Sequence, residues 1–408
     1  MGSDDLNLVS ISVMVPIRNE LEHLKRILLS VGEQTILPKE IVIVDSSKNE
    51  EIKEFVEEHN NIIPIIYHYE KKAYPGKARN IGVEIARGDW IAFLDSKTIP
   101  NENWLERYQH LVQAYNAVTV FGVTKFKAES PFQKTLRAAT YGKIGHHTVP
   151  GTMIEKKIYI DSGGFLEHVR MGEDIEWRER LVKNGFNIHW AEKPVVTYVG
   201  LPDNFSSTMK KYLTSAYHTA RLNILRNVKD AYLALALVLS AIIIPKWNHL
   251  IGEWDTNPLY IPNVTKIYLL SIIALLLAVQ LFRWLFSQAL VETLFSRSLK
   301  IVVFMFVTLT VYRWNAVIAG WMEDAALYIP HITKIYVFLI LSTSILFRGA
   351  FQPLRRQVEV GYLFPFRWIG IGLLGLCLDL VKAPGYLVGG ITSLFPFPNK
   401  KSKHEFHF

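Results

Sequence analysis

Hydrophobic and polar positions divide this 408-residue chain into two unlike parts. Before about Asn227, short apolar runs alternate with segments in which apolar residues recur at helical spacing. After that point the chain consists of long apolar runs with few charges. The first pattern is typical of a globular domain in water, and the second is typical of helices in a bilayer. We therefore predict a soluble N-terminal domain followed by a membrane domain.

Five apolar runs in the first part predict β-strands, and the segments between them predict helices. The runs are ISVMVP (11–16), EIVIVD (40–45), NIIPIIYHY (61–69), WIAFLD (90–95) and AVTVFGV (117–123). Such alternation predicts the α/β class with a mostly parallel sheet. Ligands bind beyond the carboxyl ends of strands in these sheets, so Pro16, Asp45 and Asp95 should share one rim. Any one strand-terminal acid is often only a turn cap, so the prediction of a nucleotide-type site rests on the group.

Composition narrows the functional classes. The N-terminus MGSDDLNLVS carries acids where a signal peptide carries basic residues, so we expect a cytoplasmic first domain. The net charge of +8 comes without an arginine–aromatic motif, which argues against nucleic acid and favours anionic lipid heads. The single cysteine, Cys377, forms no intramolecular disulfide.

Five segments with polar or glycine-rich ends follow one another between residues 13 and 185. They are VMVPIRNE, IVIVDSS, GKARNIGVEIARGDWIAFLD, SGGF and GEDIEWRERLVKNG. In this order they resemble family 2 glycosyltransferases, which have the GT-A fold, and the resemblance covers residues 11–200. It implies an enzyme that transfers a sugar from a nucleotide sugar, with inversion at the anomeric carbon.

The resemblance implies a role for each matched residue. Nucleotide-sugar binding falls to Pro16, Arg18, Glu20, Asp45, Arg79, Asp95 and Lys97. Within that set, Asp45 matches the acid that recognises the base, and Arg79 matches a basic residue near the diphosphate. Asp174 matches the catalytic base, with Glu173 beside it. A carboxylate there would accept the proton of the attacking hydroxyl, and the start of a helix favours its ionised form. The alternative is an ordinary acidic helix start.

Weaker candidates for binding the acceptor or a phosphate lie further along the chain. They are Gly163, Gly164, Arg180 and Arg313. Arg178 and Arg180 either bind phosphates or pair with Glu176 and Glu179 along one helix. The adjacent His146 and His147 have no third ligand at metal-binding spacing, so we expect them to be structural or in an acceptor loop.

The chain departs from the family pattern at Lys97. Asp95 matches the first acid of the Asp-x-Asp motif, whose second acid usually helps to hold Mg²⁺ or Mn²⁺. A histidine that often follows the last strand is also absent, since the segment PVVTYVGLPD has Thr197 and Tyr198. Two hypotheses stay open: Lys97 supplies part of the metal's charge, or it points away, for instance towards Asp95, while Asp95 and the diphosphate hold the metal.

The second part predicts an amphipathic interfacial helix and several membrane segments. The domains are expected at 1–205 (catalytic), 206–229 (interfacial helix), 230–396 (membrane) and 397–408 (basic tail). Apolar segments lie at 231–245, 266–286, 299–321 and 332–347, and a last one at 368–394 is interrupted by KAPG. Arginine-rich loops at 281–300 and 347–367 predict a cytoplasmic catalytic domain. With the tail on the same side, the last segment should not cross.

A repeat supports this membrane domain. LYIPNVTKIY begins at Leu259 and LYIPHITKIY at Leu327, each before an apolar run, which predicts a duplicated helical hairpin. Arg313 and Asn315 interrupt an apolar stretch, where polar residues are costly and often functional. The alternative is that they lie at the interface beside Trp314.

The sequence thus predicts an integral membrane glycosyltransferase of glycan or polysaccharide biosynthesis. Its partners would be a nucleotide sugar, the bilayer, and a lipid-linked or membrane-associated glycan acceptor. Two alternatives remain: transfer to a polyprenyl phosphate, or an inactive nucleotide-sugar-binding scaffold of a glycan export complex. The donor sugar, the acceptor, the number of crossings and the oligomeric state are not determined by these patterns.

Overall fold

The structure is a computed structural model that describes residues 9–58, 62–222, 224, 228–243, 313, 338 and 341–393. Its strands are β1 Ile11–Ile17, β2 Glu40–Asp45, β3 Ile65–Tyr69, β4 Trp90–Phe93, β5 Thr98–Pro100, β6 Thr119–Phe126, β7 His146–Glu155, β8 Ile188–Trp190 and β9 Val196–Tyr198. Its helices in the first domain are α1 Leu21–Gly32, α2 Glu51–Glu58, α3 Pro75–Ile85, α4 Trp104–Tyr115, α5 Pro131–Thr140, α6 Lys156–Asp161 and α7 Glu173–Lys183.

One sheet organises this domain, in the order β3-β2-β1-β4-β7-β6-β9-β5, with β8 beside β6. The first four strands of that order are parallel, so the carboxyl ends of β1, β2 and β4 form one rim, as predicted. β7 then runs antiparallel between β4 and β6. The α/β class is confirmed, with a mixed rather than uniformly parallel sheet.

Apolar residues on both faces of the sheet explain why it forms. Every residue of β2 and β4 is buried, because helices cover both faces. One core cluster lies between the sheet and α1 and α4, and includes Trp104 and Tyr108. The other lies under α3 and α7 and contains Trp177 and Phe93. This two-sided packing fixes the strand ends that carry the site.

The described C-terminal elements form a helical unit against this domain. They are α8 Phe205–Arg221, α9 Val228–Ile243, a π-helical turn Phe347–Phe351, α10 Gln352–Arg355, α11 Val360–Leu363 and α12 Arg367–Ser393. The predicted segment at 266–286, that at 299–321 apart from Arg313, half of that at 332–347, and the repeat lie outside the described residues. The segment predicted at 231–245 falls mostly within α9.

The last apolar segment forms one uninterrupted helix, α12, which contradicts the predicted break at KAPG. Pro384 lies inside the helix, where its neighbours Ala383 and Gly385 are buried. Packing of this helix face compensates for the hydrogen bond that proline removes. Within the described part of the chain, α12 is the one helix long and apolar enough to cross a membrane, and half of its apolar window is buried against protein. A helix of this length is long enough to cross a bilayer. The expectation that the last segment does not cross, which came from placing the basic tail in the cytoplasm, stays a prediction.

Two glycines bring α12 onto α8. A Cβ at Gly385 would lie 2.7 Å from the Leu213 carbonyl oxygen, and one at Gly389 would collide with the Tyr217 carbonyl. Ala216 and Ala220 of α8 complete this seam of small residues. The segment predicted as an interfacial helix is therefore a helix whose one face packs on α12.

Candidate active site

A cleft of about 1030 Å³ opens at the carboxyl ends of β1 and β4. The N-terminus of α7 and one face of α8 form its other walls. Residues predicted from the sequence that line it are Pro16, Arg18, Glu20, Arg79, Asp95, Lys97, Glu173 and Asp174. The structure thus collects side chains from four separate parts of the chain around one cavity.

Arg79 connects the two acidic parts of the cleft. Its Nη2 donates to Asp95 Oδ1 at 2.6 Å, and its Nη1 donates to Glu173 Oε1 at 2.9 Å. Burial opposes the charge of Arg79, but the carboxylates of Asp95 and Glu173 outweigh it and raise its pKa. The guanidinium also lies over the Phe165 ring, 5.1 Å from the centroid. Arg79 therefore organises the cleft floor as a fixed positive charge.

Asp174 and Glu173 begin α7 but face different surroundings. Gly172 precedes them with φ +93°, a left-handed conformation that suits glycine and turns the chain into the helix. Glu173 is buried against Arg79, whereas Asp174 is partly exposed and lines the cleft. Of these two carboxyl groups, that of Asp174 is therefore the more accessible from the cleft.

Both of these acids have raised pKa values. Burial raises the pKa of Glu173 and the charge of Asp174 raises it further, against the opposing charge of Arg79. Restricted hydration raises the pKa of Asp174, while Arg79 and the Ile175 backbone N–H act in the opposite direction. A raised pKa makes a carboxylate a stronger proton acceptor, which suits a general base.

Asp45 ends β2 but is fully buried beneath the cleft surface. Its carboxylate accepts hydrogen bonds from the Ser47 backbone N–H at 2.8 Å and from the Tyr67 hydroxyl at 2.9 Å. The adjacent Ser46 lines the cleft instead. In this structure Asp45 shapes the loop after β2, and a direct contact with a base stays a prediction.

Lys97 pairs with Glu20 and not with Asp95. Its Nζ lies 2.8 Å from Glu20 Oε1, and the same carboxylate accepts a hydrogen bond from Ser96. Asp95 is held by Arg79 instead. The pairing with Asp95 considered from the sequence is therefore wrong, because Arg79 already occupies that carboxylate.

Three of the weaker candidates support the protein and do not line the cleft. Arg180 donates to the Ser162 and Gly164 carbonyls and pairs with Glu176, which is the helix-pairing alternative. Gly163 and Gly164 have φ +80° and +61° and form the turn that Arg180 holds. Assigning these three residues to an acceptor or phosphate is not supported, since their polar contacts are made within the fold.

The remaining polar candidates are His146, His147 and Arg313. His146 and His147 each place Nε2 against a backbone carbonyl, of Tyr141 and Ala191. Arg313 is exposed, and the residues around it lie outside the described part of the chain.

One wall of the cleft was missed in the sequence. Lys211, Ser215 and Thr219 of α8 line the cleft at intervals of four residues, which is one helix face. Lys211 Nζ lies 5.5 Å from the centroid of the Tyr198 ring, which also lines the cleft. The four-residue spacing of these polar residues could have indicated the wall. The basic, amphipathic sequence of the helix led instead to the prediction that it lies at a membrane surface.

The strand ends carry charged residues, α7 begins with two acids, and the cleft lies between them. This arrangement suits a glycosyltransferase of the GT-A class. Residues 12–171 match the model of the family described as Glycosyl transferase family 2.

Named relatives agree with this class. The chain is 25% identical over 260 residues to Glycosyltransferase AglE of Haloferax volcanii, covering 60% of this chain and 84% of AglE. It is 25% identical over 205 residues to the Pre-mycofactocin glycosyltransferase of Mycobacterium tuberculosis, covering 46% and 42%. The chain thus spans most of AglE but less than half of the mycobacterial protein.

Among solved structures, the chain is similar to residues 1–349 of S. aureus TarS in complex with UDP-GlcNAc. The identity is 19%, the TM-score is 0.40, and the match covers 52% of this chain and 65% of that chain.

Proposed function

We propose that this protein transfers a sugar from a nucleotide sugar to a hydroxyl of a membrane-associated, lipid-linked glycan, with inversion at the anomeric carbon. The observation that carries the proposal is the placement of Asp174. Its carboxylate faces the cleft at the start of α7, while the neighbouring Glu173 is occupied by Arg79.

The proposed reaction is a single displacement. The acceptor hydroxyl gives its proton to the Asp174 carboxylate as its oxygen forms a bond to the anomeric carbon. The bond from that carbon to the diphosphate breaks, and its electron pair leaves with the phosphate oxygen. Attack opposite the leaving group inverts the configuration. Arg18 and Lys97 are among the cations that line the cleft, and we assign them to the departing charge.

The arrangement of α8 and α12 supports a membrane-associated acceptor. α8 lines the cleft with Lys211, and α12 packs directly on α8. The outer face of α12 exposes large apolar residues, including Leu387 and Ile391, which suits contact with lipid. We propose that α12 is embedded in the bilayer and that the cleft faces the cytoplasm. A lipid-linked glycan then reaches Asp174 along the α8 wall.

The test is direct. The full chain in nanodiscs is incubated with a panel of nucleotide sugars and a lipid extract from its source membrane, and the lipids are analysed by mass spectrometry. We expect a product heavier by one sugar residue, with NMR showing inversion at its anomeric carbon. Retention of configuration would contradict the mechanism, and no product with any donor would contradict the function.

The two alternatives give different outcomes. Transfer to a polyprenyl phosphate yields an acid-labile phosphosugar, and an ionised phosphate needs no base. An inactive scaffold keeps its cellular function when Asp174 is changed to Asn, whereas a transferase loses it.

A further inference from the structure

Two departures from the family pattern lie against each other in the structure. Lys97 occupies the position of the second acid, and Thr197 and Tyr198 lie in the segment where the resemblance leads us to expect a histidine. β5 and β9 pair Thr98 with Tyr198, and the Val199 N–H donates to the Lys97 carbonyl at 2.9 Å. A Cβ at Gly200 would collide with Lys97 Cδ and would lie 2.8 Å from Tyr198 Oη. The two replacements therefore form one local arrangement.

The residues present do not fit the divalent metal that the family implies. Within the described ranges, no group of three His, Cys, Asp or Glu residues is placed to hold a metal ion. Asp95 Oδ1 is 2.6 Å from the Arg79 guanidinium, and the neighbouring ligand position carries the ammonium of Lys97. Arg79 beside Asp95 and Lys97 beside Glu20 are two cations in the same cleft, and both repel a dication that would bind there. Tyr198 offers no imidazole nitrogen, and burial raises its pKa, which keeps the phenol neutral.

We propose that Lys97 takes the metal's place at the donor diphosphate, so that nucleotide binding and transfer need no divalent cation. This inference rests on the proposed nucleotide-sugar donor. An ammonium is a compact charge that suits phosphate oxygens. As the bond to the anomeric carbon breaks, Lys97 stabilises the negative charge that the diphosphate gains.

Glu20 gives this lysine a replaceable partner. The Lys97–Glu20 pair lies at the cleft surface, with the two side chains 35% and 24% exposed. Partly solvated pairs of this kind are weak, so a diphosphate of higher charge displaces Glu20 at little cost. The contact of the Lys97 stem with Gly200 and the backbone bond to Val199 keep the ammonium near the cleft. Glu20 thus holds Lys97 in place until the nucleotide arrives.

The experiment measures binding of nucleoside diphosphate to the full chain in nanodiscs by calorimetry, in EDTA and in Mg²⁺ or Mn²⁺. The probe is whichever of UDP, GDP and CDP binds the wild type most tightly. We expect wild-type affinity in EDTA to equal that in metal. Lys97→Met should weaken binding by about tenfold or more in both conditions, because a charged hydrogen bond is lost. Lys97→Asp restores an acid and should bind only when metal is added.

Two further variants separate this role from a purely structural ion pair. Glu20→Gln removes the charged partner of Lys97 while keeping an amide oxygen for Ser96, and should tighten binding of the diphosphate, opposite to Lys97→Met. Lys157→Asp makes the same charge change as Lys97→Asp at an exposed site on α6 and should behave as the wild type. Weakening by Glu20→Gln to the same degree as Lys97→Met would overturn the proposal.

The outcomes also separate this inference from the proposed function. Wild-type binding that requires Mg²⁺ or Mn²⁺ overturns the role of Lys97 but leaves the donor class intact. Failure of all three nucleotides to bind in either condition overturns both.

Discussion

Arg79 Nη1 lies 2.9 Å from Glu173 Oε1, and this ion pair joins α3 to the first residue of α7. Both side chains are almost fully buried, at 4% and 6% exposure. Removing one member of such a pair leaves the other as an uncompensated buried charge, which is strongly unfavourable. The pair therefore fixes where α7 begins, and with it the position of Asp174.

Changing Arg79 to Met should destabilise the protein. The free energy of unfolding should fall by about 3 kcal/mol, the lower end for a broken buried pair, because Glu173 relieves part of the cost by taking up a proton. The double variant Arg79→Met, Glu173→Gln should recover much of the loss. Chemical unfolding of the full chain, followed by circular dichroism, measures both. Strictly additive effects would show that the pair carries no coupling.

Asp174→Asn should abolish transfer and retain nucleotide binding. Asparagine keeps the size of the side chain but cannot accept the hydroxyl proton, so the turnover number should fall by about 10²–10⁴-fold. The matched control is Glu179→Gln, an exposed position of the same helix. Turnover is measured by product mass spectrometry, and binding by calorimetry. Unchanged turnover would exclude Asp174 as the base.

The rate should depend on pH through the raised pKa of Asp174. The base acts only when deprotonated, so activity should be low in acid and rise with pH through that pKa. Because the pKa is raised above the ordinary value of 3.8, the midpoint of the rise should lie above that value. Initial rates at low acceptor concentration measure the profile. An acidic limb at or below the ordinary value would contradict the environment described for Asp174.

Gly389→Ala should disturb the packing of α12 on α8. The added methyl group collides with the Tyr217 carbonyl, so we expect a loss of about 1–3 kcal/mol in the free energy of unfolding. The control is the adjacent Gly390→Ala, where the added methyl group has open space. That variant should be neutral or slightly stabilising, since alanine favours the helix. Equal melting temperatures of the two variants would contradict the close packing of α12 on α8 at Gly389.

Lys211→Met should weaken use of the acceptor more than binding of the nucleotide. Lys211 lies on the α8 wall of the cleft, along which we propose that a lipid-linked glycan reaches Asp174. Loss of a charged hydrogen bond should raise the KM for the acceptor about tenfold. Lys210→Met removes the same charge one residue earlier, at an exposed position, and is the control. A rise in KM for the nucleotide sugar alone would place Lys211 at the donor instead.

Patterns within the sequence were sufficient for the strands that bear the site. The apolar runs before Pro16, Asp45 and Asp95 are nearly continuous, which is the mark of parallel strands buried on both faces. The family resemblance then implied that Arg79 and Asp174 belong to the same site, and both line the cleft. The apolar runs are local signals, and the strands β1, β2 and β4 form where these runs predict them.

Long-range contacts were not predictable in the same way. The partner of Lys97 is Glu20, far earlier in the chain, and the choice between Glu20 and Asp95 depends on where Arg79 points. The reversal at β7 and the position of α8 also follow from tertiary packing. The predicted break at Pro384 was wrong, because tight packing of a helix face outweighs the low helix propensity of proline.

The two close glycines of α12 have a consequence for substrate choice. Gly385 and Gly389 bring α12 into direct contact with α8, so the helix that we place in the bilayer packs against the wall that carries Lys211. With α12 in the bilayer, we expect this packing to hold Asp174 at a fixed height above the membrane surface. The enzyme would then select acceptors by length: it would use a glycan whose hydroxyl lies at one distance from the lipid, and would not use shorter or longer ones.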